Sequence, residues 1–93
     1  MNNQDTYSIC EVISKFKKPE EVQEFFGEIF TQSELNDVVQ RWNILKRLSE
    51  NESQRTISKA LSVSLCKVTR GAKILKNEQS LTRQILFDES WRK

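Results

Sequence analysis

Apolar residues recur along this chain with a helical period, and no segment alternates in the way that a half-buried strand requires. The pattern therefore predicts an all-α fold. Pro19 follows the first helix and suits the first turn of the second, and Asn51 is typical of the residue that ends a helix. The predicted helices cover residues 7–16, 19–30, 31–49, 54–61, 64–76 and 80–87.

Several polar residues stand where a helix needs a cap. Thr31 and Glu34 form the T-x-x-E pattern of a capping box at the start of the third helix. Ser53 and Ser64 precede the fourth and fifth helices, where a serine hydroxyl accepts a hydrogen bond from an N-terminal amide. The segment between these two short helices is only 62–64, which predicts a tight turn.

Each helix has an apolar side that we expect to be buried. The third helix has the longest one, and the fifth carries apolar residues at i, i+3, i+7 and i+10. The predicted inward residues of the third to sixth helices are Leu35, Val38, Val39, Trp42, Leu45, Leu48, Ile57, Ala60, Leu61, Leu65, Val68, Ala72, Leu75, Leu81, Ile85 and Leu86.

Length and composition limit the class of protein. Ninety-three residues, 37% of them apolar, make one small domain that we expect to be stabilised by oligomerisation. Cys10 and Cys66 stand apart and the chain has no histidine, which argues against a metal site and favours two reduced thiols, although a disulfide stays open. Without a secretory leader or a long apolar run, we expect a cytoplasmic protein that binds no membrane.

The residue types also argue against an enzyme. Acid–base and nucleophilic catalysis most often use histidine, which is absent. Carboxylates are plentiful, but those at 20, 21, 24 and 28 have the spacing of a solvated helix face rather than of a catalytic pair.

Charge is distributed unevenly. The net charge is only +2, yet residues 54–76 contain six basic residues and no acidic one. Such a block is typical of a surface that meets a phosphate backbone. Its basic residues are Arg55, Lys59, Lys67, Arg70, Lys73 and Lys76.

The fourth and fifth helices form a helix-turn-helix pattern, with Ile57, Leu61, Val63 and Val68 packing the pair together. We expect the first turn of the second helix to read base edges. Lys67 would contact guanine, and Leu65 and Cys66 would contact thymine methyl groups. The start of the preceding helix suits phosphate contacts. The predicted DNA-binding residues are Gln54, Arg55, Ser58, Ser64, Leu65, Cys66, Lys67, Thr69 and Lys73.

The segment RWNILKRLSENESQRTISKALSVSLCKVTRGAKILK, residues 41–76, resembles the tryptophan (trp operon) repressor family. The resemblance rests on SQR at 53–55, VSL at 63–65 and VTRG at 68–71 followed by Leu75 and Lys76, and it covers roughly residues 20–90. It implies an intertwined, six-helix homodimer with a helix-turn-helix reading head. Such a dimer represses genes of tryptophan metabolism by binding a palindromic double-stranded operator when L-tryptophan is bound as corepressor.

The resemblance also implies ligand-binding residues. The indole would lie between Arg41 and Arg70, where cation–π stacking favours arginine, and Arg70 would hold the carboxylate. Gly71 would leave space beside the backbone, and Thr31 would approach from the other subunit. The carbonyl groups of the turn from Glu28 to Phe30 would accept hydrogen bonds from the ammonium group. Ile74 stands where the family often has a ligand-contacting serine.

The predicted organisation is a disordered N-terminal arm at 1–6, a helical dimerisation core at 7–52, the helix-turn-helix at 53–76 and a C-terminal helix at 77–93. Two departures from the family are a turn before Ser53 that is one residue shorter and Ser62-Val63-Ser64 in place of a glycine-containing turn. Two alternatives stay open: a tryptophan-independent helix-turn-helix regulator of a related group, and a helical module whose basic face meets an acidic protein.

Overall fold

Six α-helices and a short 3₁₀ helix account for most of residues 3–92, the part of the chain that the computed structural model describes. No strand occurs within 3–92, so the predicted all-α class is confirmed. By contacts the chain divides into two compact units, an N-terminal unit that ends at Leu35 and a C-terminal unit that begins at Asn36. The helices are α1 (Asn3–Ser14), α2 (Pro19–Ile29), α3 (Gln32–Ser49), α4 (Gln54–Leu61), α5 (Leu65–Lys76) and α6 (Leu81–Phe87), and the 3₁₀ helix covers Glu89–Arg92.

The first helix begins earlier than its apolar pattern predicts. It starts at Asn3 instead of residue 7, so residues 3–6 of the predicted N-terminal arm are helical. Asp5 lies in the first turn, where a carboxylate interacts favourably with the helix dipole. The rest of the predicted arm, residues 1 and 2, lies outside the described residues.

Aromatic side chains dominate the N-terminal unit. The rings of Phe16 and Phe25 meet edge to face with centroids 5.5 Å apart, and those of Phe26 and Phe30 do so at 5.3 Å. None of the described residues of α1 or α2 is fully buried in the single chain. The apolar face of α2 is therefore only partly covered.

Local hydrogen bonds start α3 as the sequence predicts. The amide of Thr31 donates to Oε1 of Glu34 at 2.8 Å, and the amide of Glu34 donates to Oγ1 of Thr31 at 3.1 Å. This reciprocal pair is a capping box, so the prediction is confirmed.

The end of α3 forms a Schellman turn. Asn51 has a positive φ of 67°, and its amide donates to the carbonyl of Leu48 at 3.0 Å. The amide of Glu52 donates to the carbonyl of Arg47 at 3.2 Å, which completes the pattern. Asparagine tolerates the left-handed conformation better than most residues, which explains its use here.

The turn between α4 and α5 repeats this geometry with a serine. Ser62 has φ 54° and ψ 47°, and its amide donates to the carbonyl of Lys59 at 3.3 Å. The amide of Val63 donates to the carbonyl of Ser58 at 3.1 Å. A Schellman turn therefore joins the two helices although no glycine is present.

The core of the C-terminal unit lies under the helix-turn-helix. Ile57 of α4 and Val68 of α5 are fully buried and pack with Ile44 of α3. Leu61 and Val63 pack against this cluster, as the sequence predicts. Ile44 was not among the predicted inward residues, and it anchors the helix-turn-helix on α3.

Several residues predicted to face inward remain exposed in the single chain. Ala60 is exposed, and Leu81 is 62% exposed. Val38, Val39 and Trp42 of α3 are also exposed, because the side of α3 that packs against α4 and α5 is the one that carries Ile44. The stripe predicted for α3 is therefore largely open within one chain.

Candidate ligand-binding groove and DNA-reading helix

Serine caps position both helices of the helix-turn-helix. Oγ of Ser53 accepts from the amide of Thr56 at 3.1 Å, and Oγ of Ser64 accepts from the amide of Lys67 at 3.2 Å. Each bond satisfies one of the amides that a helix leaves unpaired at its start. The predicted caps are confirmed, and they set where α5 begins.

Helix α5 presents three distinct sides. Val68, Ala72 and Leu75 are buried against the rest of the unit. Leu65, Thr69 and Lys73 are exposed at i, i+4 and i+8, which forms one outer stripe. The third side carries Cys66, Lys67, Arg70 and Ile74 and lines a groove between α5 and α3.

Two predicted DNA-binding residues of α4 also support the local fold. Oγ1 of Thr69 donates to Oε1 of Gln54 at 2.8 Å, which connects the outer stripe of α5 to the start of α4. The hydroxyl of Ser58 donates to the carbonyl of Val63 at 2.6 Å and is half-buried. Arg55 is exposed. Ser58 therefore contributes to the turn itself.

The groove between α3 and α5 has a volume of about 380 Å³, which lies within the range of small-molecule sites. Its apolar lining comes from Ile44 and Leu45 of α3 and from Ile74 of α5, while Arg41 and Arg70 contribute guanidinium groups from the two helices. The structure thus brings together four of the predicted ligand-binding residues, which are Arg41, Arg70, Gly71 and Ile74.

Gly71 allows α5 to approach α3 closely. A Cβ atom at this position would lie 3.1 Å from Cδ1 of Leu48 and 3.2 Å from Cγ2 of Ile44, which is tighter than ordinary van der Waals contact. Gly71 also lines the groove. The close packing of the two helices is therefore one physical reason for glycine here.

One carboxylate, that of Asp37, pairs with a cation of its own helix and with one at the start of α5. Nε of Arg41 lies 3.1 Å from Oδ2 of Asp37, and Nζ of Lys67 lies 3.5 Å from Oδ1 of the same carboxylate. Nζ of Lys67 also donates to Oε1 of Gln40 at 2.9 Å. The hydrogen bond from Arg41 and the nearby charges of Arg41 and Lys67 hold the pKa of Asp37 below its usual value.

Arg70 differs from the other two cations of the groove. Within residues 3–92, no carboxylate lies at ion-pair distance from its guanidinium group. Ile74, one turn further along α5, is partly exposed and offers no hydrogen-bond donor. The charge of the groove lining therefore favours an anion.

The remaining predicted ligand-binding residues lie in the N-terminal unit. Glu28 belongs to α2, Phe30 follows it and donates its amide to the carbonyl of Phe26 at 3.0 Å, and Thr31 caps α3. The groove belongs to the C-terminal unit. The role of these three residues toward a ligand stays a prediction.

Apart from Arg41, sequence reasoning did not assign the α3 residues of this site. Ile44 and Leu45 line the groove, and Asp37 and Gln40 hold Lys67. The i, i+4 spacing of Asp37 and Arg41 was a readable signal for an ion pair. The contact between Gln40 and Lys67 joins residues 27 positions apart and has no local signal.

Other chemistry is limited in the described part of the chain. Cys10 and Cys66 are free and exposed. Across residues 3–92, no three histidine, cysteine, aspartate or glutamate side chains cluster in a way that could bind a metal ion. Nor does any helix in this part have the length and apolar character needed to cross a membrane.

Comparison with known proteins agrees with this architecture. A family model described as Trp repressor protein matches residues 4–90. The Trp operon repressor homolog of Chlamydia trachomatis serovar D is 34% identical over 77 residues, which are 82% of this chain and 82% of that protein. The Trp operon repressor homolog of Xylella fastidiosa strain 9a5c is 32% identical over 65 residues, which are 69% of this chain and 71% of that protein. No solved structure matches the chain significantly. The chain therefore belongs to the Trp repressor family, a family of transcriptional repressors.

Proposed function

We propose that this protein is a sequence-specific DNA-binding repressor that L-tryptophan activates as corepressor and that acts as a homodimer on a palindromic operator of tryptophan metabolism genes. The observation that carries the proposal is that one helix, α5, is at once a wall of the arginine-lined groove and the second helix of the helix-turn-helix. A ligand in the groove thus contacts the same rigid element that would meet DNA.

The groove suits the chemistry of tryptophan. Arg41 and Arg70 are placed on opposite helices, so their guanidinium planes can stack on an indole. Arg70 can also pair with the carboxylate of the ligand. Ile44, Leu45 and Ile74 supply apolar contact for the ring edge. In the proposed dimer, Thr31 and the carbonyl groups between Glu28 and Phe30 come from the second copy and bind the ammonium group.

Activation follows from the position of the ligand between two helices. An indole wedged between α3 and α5 favours one tilt of α5 over the others, because only that tilt leaves room for the ring. The ligand then shifts the population toward a reading head that fits successive major grooves, without catalysis.

The proposed DNA surface is the outer stripe of α5 together with the start of α4. Leu65 and Thr69 face the base edges with Cys66 beside them, and Lys73 reaches phosphate. Gln54, Arg55 and Ser58 of α4 and the cap residue Ser64 complete the surface. Residues 53–77 contain no aspartate or glutamate, so no carboxylate of this segment would repel the phosphates of the duplex.

Exposed apolar side chains support the proposed dimer. Such an amount of apolar surface is typical of a chain that buries it against a partner. A repressor that acts on operator DNA would also be cytoplasmic. The exposed residues are Tyr7, Ile9, Val12, Ile29, Val38, Val39, Trp42, Leu81, Phe87 and Trp91.

Selection of binding sites from random double-stranded DNA tests this function. We expect a palindromic consensus to emerge in the presence of L-tryptophan, and a gel shift on that consensus to tighten at least tenfold when L-tryptophan is added. Equal affinity with and without the amino acid would support a tryptophan-independent regulator instead. Failure to enrich any DNA sequence would favour the protein-interaction alternative.

Arg70→Ala tests the ligand groove directly. We expect this variant to lose the tenfold gain from L-tryptophan, because both a stacking plane and a carboxylate partner are removed. Lys76→Ala is the matched control, since it removes one charge from the same helix outside the groove. A control that loses the response equally would show that general charge, not the groove, is responsible.

A further inference from the structure

Lys67 lies on the groove side of α5 rather than on its outer stripe. It lines the groove with Arg70, three residues further along the helix, and with Ile74. The outer stripe is formed by other residues, Leu65 and Thr69 among them. Lys67 is therefore part of the groove lining and does not belong to the outer stripe.

The ammonium group of Lys67 reaches across to α3, beside the residues that line the groove. It donates to Oε1 of Gln40 at 2.9 Å and lies 3.5 Å from Oδ1 of Asp37, both on α3. Its present partners are thus an amide oxygen and a carboxylate, and a carboxylate is also the acceptor that an amino acid ligand carries. Because the side chain is 44% exposed, these contacts are weak enough to be exchanged.

The charges that line the groove have a single sign. Arg41, Lys67 and Arg70 are the charged lining residues, and among residues 3–92 no acidic side chain lines the groove itself. Ile74 supplies no hydrogen bond. If the two guanidinium groups lie over the faces of the indole, the carboxylate on the α-carbon of the ligand can accept from a further donor besides Arg70. Lys67 is the third cation that lines the groove, and it lies one helical turn before Arg70.

We propose that Lys67 is a ligand-binding residue which, together with Arg70, holds the carboxylate of the aromatic corepressor and gives up Gln40 and Asp37 to do so. The inference rests on the proposed function and assigns to Lys67 a role in ligand specificity in place of the base readout that the sequence predicts. It makes the carboxylate, rather than the ammonium group, the part of the ligand that this lysine recognises.

Calorimetric titration with L-tryptophan and with L-tryptophanamide, which lacks the carboxylate, tests the inference. We expect Lys67→Met to weaken binding of L-tryptophan about tenfold and to change binding of the amide less than twofold, because only the acid carries the charge that Lys67 would bind. Lys67→Arg should restore most of the affinity. Lys73→Met, on the outer stripe of the same helix, should bind both ligands as the unmodified protein does.

Three results would overturn the inference. The first is unchanged affinity of Lys67→Met for L-tryptophan, and the second is an equal loss for the acid and the amide. The third is an altered base preference of Lys67→Met on selected DNA at saturating L-tryptophan, which would return Lys67 to base readout. If the unmodified protein binds neither ligand, the corepressor proposal itself fails, and the inference fails with it.

Discussion

Ser62 holds the turn of the helix-turn-helix in a backbone conformation that residues with a Cβ atom rarely adopt. The sequence shows a serine in a short break between helices, but it does not show which of the three residues in 62–64 takes the left-handed conformation. Hydrogen bonding decides this, because the amides of Ser62 and Val63 must reach the carbonyl groups at the end of α4.

Replacing Ser62 with glycine should therefore stabilise the protein. We expect a gain of about 0.5–1 kcal/mol in the free energy of unfolding, since removal of the left-handed strain outweighs the greater freedom of glycine in the unfolded chain. Urea denaturation measures it. Asn51→Gly is the matched control at the other left-handed position and should gain less, because asparagine tolerates this conformation. A loss at position 62 would contradict the assignment of strain.

Asp37 is the second residue whose role depends on its neighbours. Its carboxylate bridges Arg41 and Lys67, and its pKa lies below the ordinary 3.8, chiefly because of the hydrogen bond from Arg41. A depressed pKa in the folded state means that the contribution to stability is present above the unfolded pKa and is lost as pH falls through the folded one.

Asp37→Asn should accordingly be less stable than the unmodified protein at pH 7. The difference should begin to shrink below about pH 4, where the carboxylate of the unfolded chain takes up a proton, and should be lost as pH falls through the lower pKa of the folded protein. Denaturation of both proteins across pH 3–7 provides the comparison. Glu50→Gln, an exposed carboxylate at the end of α3 whose side chain bridges no such pair of cations, is the control. A difference that stays constant with pH would disprove the electrostatic role of Asp37.

At the scale of elements, most helix boundaries follow from local signals. Ser53, Ser64 and Ser80 each cap a helix, and the predicted helices at 54–61 and 80–87 match α4 and α6 within one residue. The start of α1 was missed because residues 3–6 are polar and carry no periodic pattern. A helix held by backbone bonds and a favourable first-turn charge can extend beyond its apolar stripe.

Ser64→Asp separates the capping role of this residue from its proposed position at the DNA surface. Aspartate caps a helix about as well as serine, so we expect the free energy of unfolding to change by less than about 0.5 kcal/mol. The added negative charge should weaken operator binding severalfold, because it faces phosphate. Gel shifts and urea denaturation measure the two effects.

Ser80→Asp is the control for this experiment. Oγ of Ser80 accepts from the amide of Arg83 at 3.2 Å, so the cap is of the same kind, but it starts α6 outside the helix-turn-helix. This variant should keep its affinity for DNA. Equal weakening by both variants would mean that net charge alone is responsible.

At the scale of the whole molecule, the single chain leaves much apolar surface open. Val39 is 53% exposed, although the sequence pattern directs it inward, and Trp42 is exposed beside it. The pattern is consistent with burial if another copy of the chain covers the side of α3 that carries Val38, Val39 and Trp42. An apolar stripe indicates that a face is buried, but it does not say by what.

The proposed dimer predicts a mass in solution of twice the 11.0 kDa of one chain. Trp42→Glu should shift the protein to monomer or unfold it, because a charge placed in an apolar interface is costly. Light scattering after size exclusion, with circular dichroism, detects both outcomes. Lys59→Glu, on the exposed face of α4, should stay dimeric. A monomeric unmodified protein would refute the dimer.

The sequence by itself determined the all-α class, the capping box and the serine caps, the helix-turn-helix, the basic segment and the family. The class, the caps and the basic segment depend on composition or on residues close together in the chain, and the helix-turn-helix and the family depend on short sequence words between residues 53 and 76. Only the tertiary structure decided three other features. Ile44 anchors α4 and α5, Gly71 lets α5 approach α3 closely, and Lys67 contacts Gln40 instead of lying on the outer stripe. Those facts depend on which sides of α3 and α5 meet, and that is set by packing between segments distant in the chain, for which local spacing carries no signal.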